Sequence, residues 1–167
     1  MNAVVAANSD WGIGFCGAQT IVIPEDRSFF RKLTDGGVII VGRKTFKEFQ
    51  NPLPNRKCLV LTRDRSFTSS RAVIAFSAGD VLEEIEGEDP DKVFVIGGAE
   101  VYRKFLPMCA LAYVTKIQAA PPSDTFFPDL DTLPGWTLEK EFGMRSSECR
   151  IRYSHCVYRN NDLLHIT

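Results

Sequence analysis

The sequence lacks an excess of charge of either sign. It carries 20 basic and 21 acidic residues, for a formal net charge of -1. A surface that holds nucleic acid or an anionic membrane needs a clear surplus of lysine and arginine. We therefore expect small-molecule partners, and neither nucleic acid nor a membrane.

Long hydrophobic runs and paired cysteines are also missing. The first residues, MNAVVAANSD, do not resemble a signal peptide, and no later run approaches the roughly 20 apolar residues that span a bilayer. The five cysteines are an odd set without a C-x-x-C motif. The adjacent His155 and Cys156 would point to opposite faces of a strand, which argues against a metal site. We expect a cytoplasmic protein with free thiols and no metal.

What the sequence does contain is a series of short apolar runs between helix-like segments. The runs lie at 3–7, 37–42, 58–62, 72–76, 92–98 and 111–117, and helices are predicted at 24–33, 44–49, 79–86 and 99–106. Runs that are apolar without alternation predict strands covered on both faces, as in a mostly parallel sheet with helical crossovers. After about residue 134 two alternating segments predict an antiparallel hairpin, and the proline-rich stretch 51–55 predicts a loop.

The segment PEDRSFFRKL places one carboxylate on an apolar stripe. Asp26, Phe29, Phe30 and Leu33 are spaced i, i+3, i+4 and i+7, so they share a helix face that should point to the core. An aspartate in the first turn can simply complement the helix dipole. It can also lie in an apolar pocket, where burial raises its pKa into a range useful for proton transfer. From this segment alone both interpretations stay open.

Two predicted strands end on cations. VIIVGRKT delivers Arg43, Lys44 and Thr45 to the start of a helix, and CLVLT ends on Thr62 and Arg63. Two such endings side by side would suit an extra phosphate such as that of NADP, although a solvated basic turn is the alternative.

Glycines mark two further turns. VFVIGGAEVYRKF holds a Gly97-Gly98 turn that would let the backbone approach a pyrophosphate, but the full G-x-G-x-x-G spacing is absent. Gly12 and Gly14 could form a loop over a ligand or an ordinary surface loop.

Taken in order, these segments resemble the dihydrofolate reductase family over nearly the whole chain. The matching stretches are VVAANSDWGIG, IPEDRSFFRKL, VGRKTF, NPLPNRK, LTRD, VIGGAEVYRKFLP, YVTKI and DTFFPD. The resemblance implies a three-layer α/β fold: an eight-stranded, mostly parallel sheet with a C-terminal antiparallel strand and flanking helices. It implies one domain over 1–167 with an adenosine-binding region at about 37–105. It also implies a monomeric, NADPH-dependent enzyme that reduces 7,8-dihydrofolate to 5,6,7,8-tetrahydrofolate for one-carbon and thymidylate metabolism and binds antifolates.

The resemblance also implies roles for individual residues. Asp26 is the catalytic carboxylate that hydrogen-bonds the pterin and supports protonation of N5 through a water, with Thr115 as its partner. The other substrate-binding positions are Val4, Val5, Arg27, Phe30, Phe49, Leu53, Ile96, Tyr102 and Arg56, which grips the glutamate tail. The cofactor-binding positions are Ala6, Ile13, Gly14, Gly17, Ala18, Gly42, Arg43, Lys44, Thr45, Leu61, Thr62, Arg63, Ile96, Gly97, Gly98, Ala99, Glu100, Val101 and Tyr102. The Gly97-Gly98 peptide bond is expected to be cis.

Two departures from the family pattern lie near Asp26. The Pro-Trp pair before the catalytic helix is Thr20-Ile21 here, so the indole that helps hold a water is missing and water-mediated proton delivery is in question. Arg27 stands where an apolar residue is usual. Its side chain either extends into solvent, or it weakens binding of compact apolar antifolates and keeps Asp26 ionised.

A third departure lies on the cofactor side. Glu100 stands where many relatives carry an arginine that faces the 2′-phosphate. This would weaken the preference for NADPH unless Arg43 and Arg63 compensate. A related reductase of riboflavin synthesis remains as an alternative, although it would lack the acid on the helix stripe. A catalytically silent pterin- or nucleotide-binding module is the other alternative, favoured by Ile21 and Arg27.

Overall fold

The six apolar runs form strands of one sheet in the computed structural model, which describes residues 1–49 and 53–163. Of the loop predicted at 51–55, residues 51 and 52 lie outside that part. The strands are β1 Asn2–Ala7, β2 Gly12–Gly14, β3 Val38–Gly42, β4 Lys57–Leu61, β5 Val73–Ala75, β6 Val93–Gly97, β7 Leu111–Ile117, β8 Thr125–Phe126, β9 Trp136–Ser146 and β10 Arg152–Asn160. The helices are α1 Pro24–Leu33, α2 Arg43–Glu48, α3 Ala78–Glu84 and α4 Ala99–Phe105.

The order of strands confirms the predicted topology. Eight strands lie in the order β5-β4-β3-β6-β1-β7-β10-β9. The pairs from β5 to β7 are all parallel, whereas β10 runs antiparallel to both β7 and β9. The sequence did not predict β2 and β8, which form a separate two-stranded sheet. Strands of three and two residues are too short to show a hydrophobic period.

The centre of the sheet is covered on both faces, as the unbroken apolar runs predicted. Ala3, Ile39, Ile40 and Val95 have no exposed surface. Crossover helices bury both faces of parallel strands in this way. All five cysteines are free, as expected, and no helix in the described ranges is long and apolar enough to cross a membrane.

Helix α1 departs from one expectation. Its bounds match the prediction, because Pro24 at the first helical position and two acids in the first turn favour initiation there. However, none of its residues is fully buried: Phe30 and Leu33 of the stripe pack against core residues, but both keep some exposed surface. Phe30 packs at the edge of a cluster around Ile39, and Phe29 stacks on His155 with ring centroids 4.2 Å apart.

A split between two central strands prepares the functional site. β1 pairs with β6 only at Asn2 and Ala3, whereas it pairs with β7 along all six of its residues. β1 and β6 therefore separate toward their carboxyl ends. In open α/β sheets, ligands bind in the crevice at such ends, where chain connections leave in opposite directions.

Candidate active site

A cleft of about 2020 Å³ lies at the carboxyl ends of β1, β3, β4 and β6. A pocket for one small ligand usually measures about 300–1,000 Å³, so this cleft has room for two ligands side by side. Every site residue predicted from the sequence lines it except Thr115, which is buried behind Asp26. Their individual roles remain predictions.

The carboxyl group of Asp26 lies at one end of the cleft. Its Oδ1 accepts a hydrogen bond from the hydroxyl of Thr115 on β7 at 2.5 Å. Burial raises the pKa of Asp26 above its ordinary value, and this effect exceeds the lowering by the Thr115 hydrogen bond and by the charge of Arg27. Asp26 therefore exchanges protons closer to neutral pH than an ordinary aspartate does.

Arg27 lines the same end of the cleft, but its side chain is exposed. This agrees with a guanidinium that extends into solvent. Its charge lowers the pKa of Asp26, which is the direction that the second interpretation requires. Burial outweighs the neighbouring cation, and the effect of Arg27 on antifolate binding stays a prediction.

The wall of the Asp26 end is apolar, and its rim holds a fixed arginine. Phe30, Leu53 and Ile96 pack on the cluster that holds Ile39. The Nε of Arg56 donates to Thr34 Oγ1 at 2.8 Å, its Nη1 donates to the carbonyl of Pro54 at 2.5 Å, and its Nη2 donates to the carbonyl of Arg31.

A guanidinium has five N–H donors, so these bonds leave one on each terminal nitrogen of Arg56. Arg56 is therefore oriented in advance for a carboxylate.

Tyr102 bridges the split between the central strands. Its hydroxyl donates to the carbonyl of Val4 at 2.7 Å, and its side chain is 4% exposed. Burial raises the pKa of Tyr102 far above its ordinary value, so the phenol stays neutral. Its contact holds α4 against β1 across the cleft floor.

The other end of the cleft is a cradle of glycine backbone. The Gly97-Gly98 peptide bond is cis, as expected, and Gly97 has a φ of +129°. A Cβ on Gly98 would lie 3.2 Å from Thr45 Oγ1, and one on Gly42 would lie 3.2 Å from Val101 Cγ2. Side chains there would fill the narrow space between the β3–α2 and β6–α4 turns. With the cations of Arg43 and Lys44 beside it, this cradle fits a pyrophosphate.

The arginines that were expected to compensate for Glu100 are themselves paired with acids. Arg43 Nη1 lies 2.8 Å from Asp64 Oδ2, and Arg63 Nη2 lies 3.7 Å from Glu100 Oε2. Asp64 was not recognised in the sequence, because its contact with Arg43 depends on the fold of the loop after β4. Each arginine thus faces a carboxylate as well as the cleft, and their compensation for Glu100 stays a prediction.

Other lining residues were also missed. Phe76 and Ser77 follow β5 and reach the cleft by the same strand-end rule that identified Arg43 and Arg63, so this signal was available. The remaining ones are Gln19, Arg31, Lys32, Asp35, Glu48, Pro54, Asp64, Arg103, Lys104, Asp124 and Thr125. Most of them lie on exposed helix faces or loops, where sequence pattern carries no positional signal.

A family model described as "Dihydrofolate reductase" matches residues 1–160 of this chain. The chain belongs to the dihydrofolate reductase family. It is 34% identical to the dihydrofolate reductase of Bacillus subtilis (strain 168) over 140 residues, which are 84% of this chain and 82% of that protein. It is 35% identical to the bifunctional dihydrofolate reductase-thymidylate synthase of Glycine max in an alignment that covers 93% of this chain and 32% of that protein.

A solved dihydrofolate reductase has the same fold. The enzyme from Enterococcus faecalis, complexed with NADP(H) and RAB-propyl, superposes with a TM-score of 0.85 at 27% identity, over 96% of each chain. The family and the fold predicted from the sequence are thus confirmed, and with them the oxidoreductase class.

In this chain the residue before the position of the missing indole belongs to a polar cluster. The amide nitrogen of Asn8 donates to Thr20 Oγ1 at 2.9 Å and contacts Ser123 Oγ at 3.3 Å. Ile21 beside it is half-buried. The hydroxyl of Thr20 thus supplies a polar atom next to the loop where the family pattern has proline.

Proposed function

We propose that this protein reduces 7,8-dihydrofolate to 5,6,7,8-tetrahydrofolate with NADPH as the hydride donor. The observation that carries the proposal is the buried Asp26–Thr115 pair at one end of a cleft whose other end is a glycine cradle flanked by cations. The family match and the NADP(H) complex of the Enterococcus faecalis relative support the same assignment.

Asp26 recognises the pterin. The ring carries an N–H and an exocyclic amino group side by side, and a carboxylate can accept from both. Thr115 fixes the orientation of the carboxyl group from behind, through the hydrogen bond at 2.5 Å. The apolar wall formed by Phe30, Leu53 and Ile96 covers the ring and the benzoyl group, and the free N–H groups of Arg56 bind the tail carboxylate.

The residues at the other end would hold NADPH, which when bound supplies the hydride that reduces C6 of the pterin. Gly97 and Gly98 would leave room for the pyrophosphate, and Arg43, Lys44 and Thr45 would bind phosphate oxygens. Ala6, Ile13, Gly14, Gly17 and Ala18 line the part of the cleft between the two ends. These residues would hold the nicotinamide.

Asp26 also favours protonation of N5. Because burial raises its pKa, Asp26 holds a proton more readily than an exposed aspartate does, and in its ionised form it stabilises positive charge that develops on the pterin. The monomeric state, the cytoplasmic location and the binding of antifolates remain predictions from the sequence.

A silent binding module is the second candidate, favoured by Ile21 and Arg27. A spectrophotometric assay of NADPH oxidation with dihydrofolate separates the two, together with NADPH binding followed by fluorescence. We expect turnover that requires both ligands. NADPH binding without turnover over the whole range from pH 5 to 9, in which general acids commonly titrate, would instead establish the silent module.

A further inference from the structure

A histidine lies directly behind the Asp26–Thr115 pair. His155 Nδ1 is 3.0 Å from Thr115 Oγ1, which itself is 2.5 Å from Asp26 Oδ1. The three side chains form one hydrogen-bonded chain from the cleft to the far side of α1. The proposed function uses Asp26 and Thr115 but leaves the imidazole unexplained.

The register of the sheet places His155 there. Thr115 on β7 is the direct partner of Ala6 on β1 and of His155 on β10, and His155 is in turn the partner of Phe142 on β9. Side chains of direct partners project from the same face of a sheet. This row therefore runs from the middle of the cleft to the edge strand, and α1 lies over it.

The imidazole is held by aromatic rings and is half-exposed. Phe29 of α1 stacks on it with centroids 4.2 Å apart and planes 25° apart, and Tyr153 contacts it edge-on at 5.3 Å. Such contacts fix the ring plane. Because the residue is only partly buried, the imidazole can exchange protons with solvent.

Charged groups reach His155 from two sides. Burial and the charge of Arg145 on β9 both lower the pKa of His155. On α1, the carboxylate of Asp26 is linked to His155 through the hydroxyl of Thr115. The neighbouring acid, Glu25, instead accepts a hydrogen bond at 2.8 Å from the backbone N–H of Glu148 in the β9–β10 turn. The carboxylate linked to the imidazole by hydrogen bonds is thus that of Asp26.

The hydroxyl of Thr115 has a single proton to donate. When Asp26 is ionised, Thr115 donates to it and accepts from the N–H at Nδ1 of His155. When Asp26 is protonated, it can donate to Thr115, which then donates to an unprotonated Nδ1. The protonation of His155 and that of Asp26 are therefore not independent.

We propose that His155 is a positioning residue that acts through Thr115 to set the orientation and protonation of Asp26. This inference rests on the proposed function, in which Asp26 is the catalytic carboxylate. From an imidazolium, the proton at Nδ1 passes to Thr115 Oγ1 while the proton of Thr115 passes to Asp26 Oδ1. The imidazole becomes neutral, the carboxylate becomes a carboxylic acid, and Thr115 keeps one proton. His155 thereby connects Asp26 to solvent without a water in the cleft.

The direct test is an NMR titration of the imidazole, which needs no turnover. The chain has two histidines, His155 and His165, so an H165Q background leaves one ring signal. We expect Asp26→Asn to lower the pKa of His155 by about one unit, because a carboxylate within about 6 Å stabilises an imidazolium. In a Thr115→Val background the same change should have a clearly smaller effect. The four proteins are H165Q and its derivatives that also carry D26N, T115V or both. Identical titrations of His155 in all four would overturn the proposal.

A second test uses the pH dependence of kcat. His155→Asn keeps an N–H near the position of Nδ1 but does not titrate, and His155→Phe keeps the ring volume without a polar atom. We expect the profile of H155F to shift relative to wild type, and that of H155N to match wild type at alkaline pH and depart from it at acid pH.

Tyr153→Phe is the matched control for the second test, because it alters a ring that touches the imidazole but lies outside the hydrogen-bonded chain. Superimposable profiles for H155F and wild type would contradict the proposal. A protein that shows no turnover at all would contradict the proposed function instead, and the NMR linkage would still be readable.

Discussion

The two ends of the cleft use charge in opposite ways. At the Asp26 end one carboxyl group lies against an apolar wall, and burial is the largest influence on its pKa. At the phosphate end several charges lie near solvent, and Arg63 and Glu100 have side chains that are 92% and 79% exposed. Burial shifts the pKa of a single carboxyl group. The exposed charges at the other end each interact weakly with a ligand, and their effects add up.

This difference predicts unequal consequences of mutation. A change at the Asp26 end should alter the chemistry of the site, since it removes the carboxyl group whose pKa burial raises. A change to a charge at the phosphate end should alter the affinity for NADPH by a small factor, and this factor should shrink as the salt concentration rises.

The largest effect is expected for Asp26→Asn. The variant keeps the shape of the side chain but cannot take up or release a proton, so kcat/KM for dihydrofolate should fall by about 100-fold or more. NADPH affinity should stay within a factor of two or so, because the phosphate end is untouched. Steady-state kinetics and a fluorescence titration measure the two quantities. A loss of NADPH affinity equal to the loss of kcat/KM would break the proposed separation of the two ends.

The second effect concerns the glycine cradle. Gly97 has a φ of +129°, so Gly97→Ala should cost about 1–2 kcal/mol in backbone conformation and weaken NADPH binding by roughly tenfold. Gly87→Ala is the matched control, since Gly87 also has a positive φ but has open space around it, and it does not line the cleft. Denaturant unfolding should show a cost in both variants, whereas only G97A should lose NADPH affinity.

A smaller effect is expected for Glu100→Gln. Removing this carboxylate leaves Arg63 free for the 2′-phosphate, so the ratio of kcat/KM for NADPH to that for NADH should rise by less than about fivefold, and less at high salt. Glu139→Gln, which removes the partner of Arg159, is the control and should leave the ratio unchanged. A ratio near one in the unaltered protein would refute the choice of NADPH.

The smallest effect is expected for Arg27→Leu. The charge of Arg27 lowers the pKa of Asp26, so its removal should raise that pKa. The limb of the pH–rate profile that needs protonated Asp26 should then move to higher pH. Apolar antifolates should bind the variant more tightly. An unchanged profile together with unchanged inhibitor affinity would leave Arg27 as an exposed side chain without influence on the site.

The sequence predicted those features that depend on local pattern. The bounds of α1 follow from Pro24 and the end of its apolar stripe, and the predicted helix at 79–86 begins one residue earlier because Ser77 and Asp80 form a capping box. The strands that end on Arg43 and Arg63 lie side by side as expected, since parallel strands end at one edge of a sheet.

Contacts that depend on register or on loop shape were not predictable from the sequence. His155 meets Thr115 because β10 pairs with β7 in one particular register, and a shift by one residue would turn the imidazole to the other face. Asp64 meets Arg43 through the loop after β4. The role of Asp26 came from the family resemblance, since its position on the stripe was equally consistent with a helix-end aspartate.

Burial, and not a neighbouring charge, is the main influence on the pKa of the Asp26 carboxyl group. The most direct measurement is the pKa of that group from a ¹³C NMR titration of the aspartate carboxyl carbons, with Asp26→Asn used to assign the signal. We expect a pKa clearly above the value of about 3.9 for an ordinary aspartate. A pKa at or below that value would contradict it.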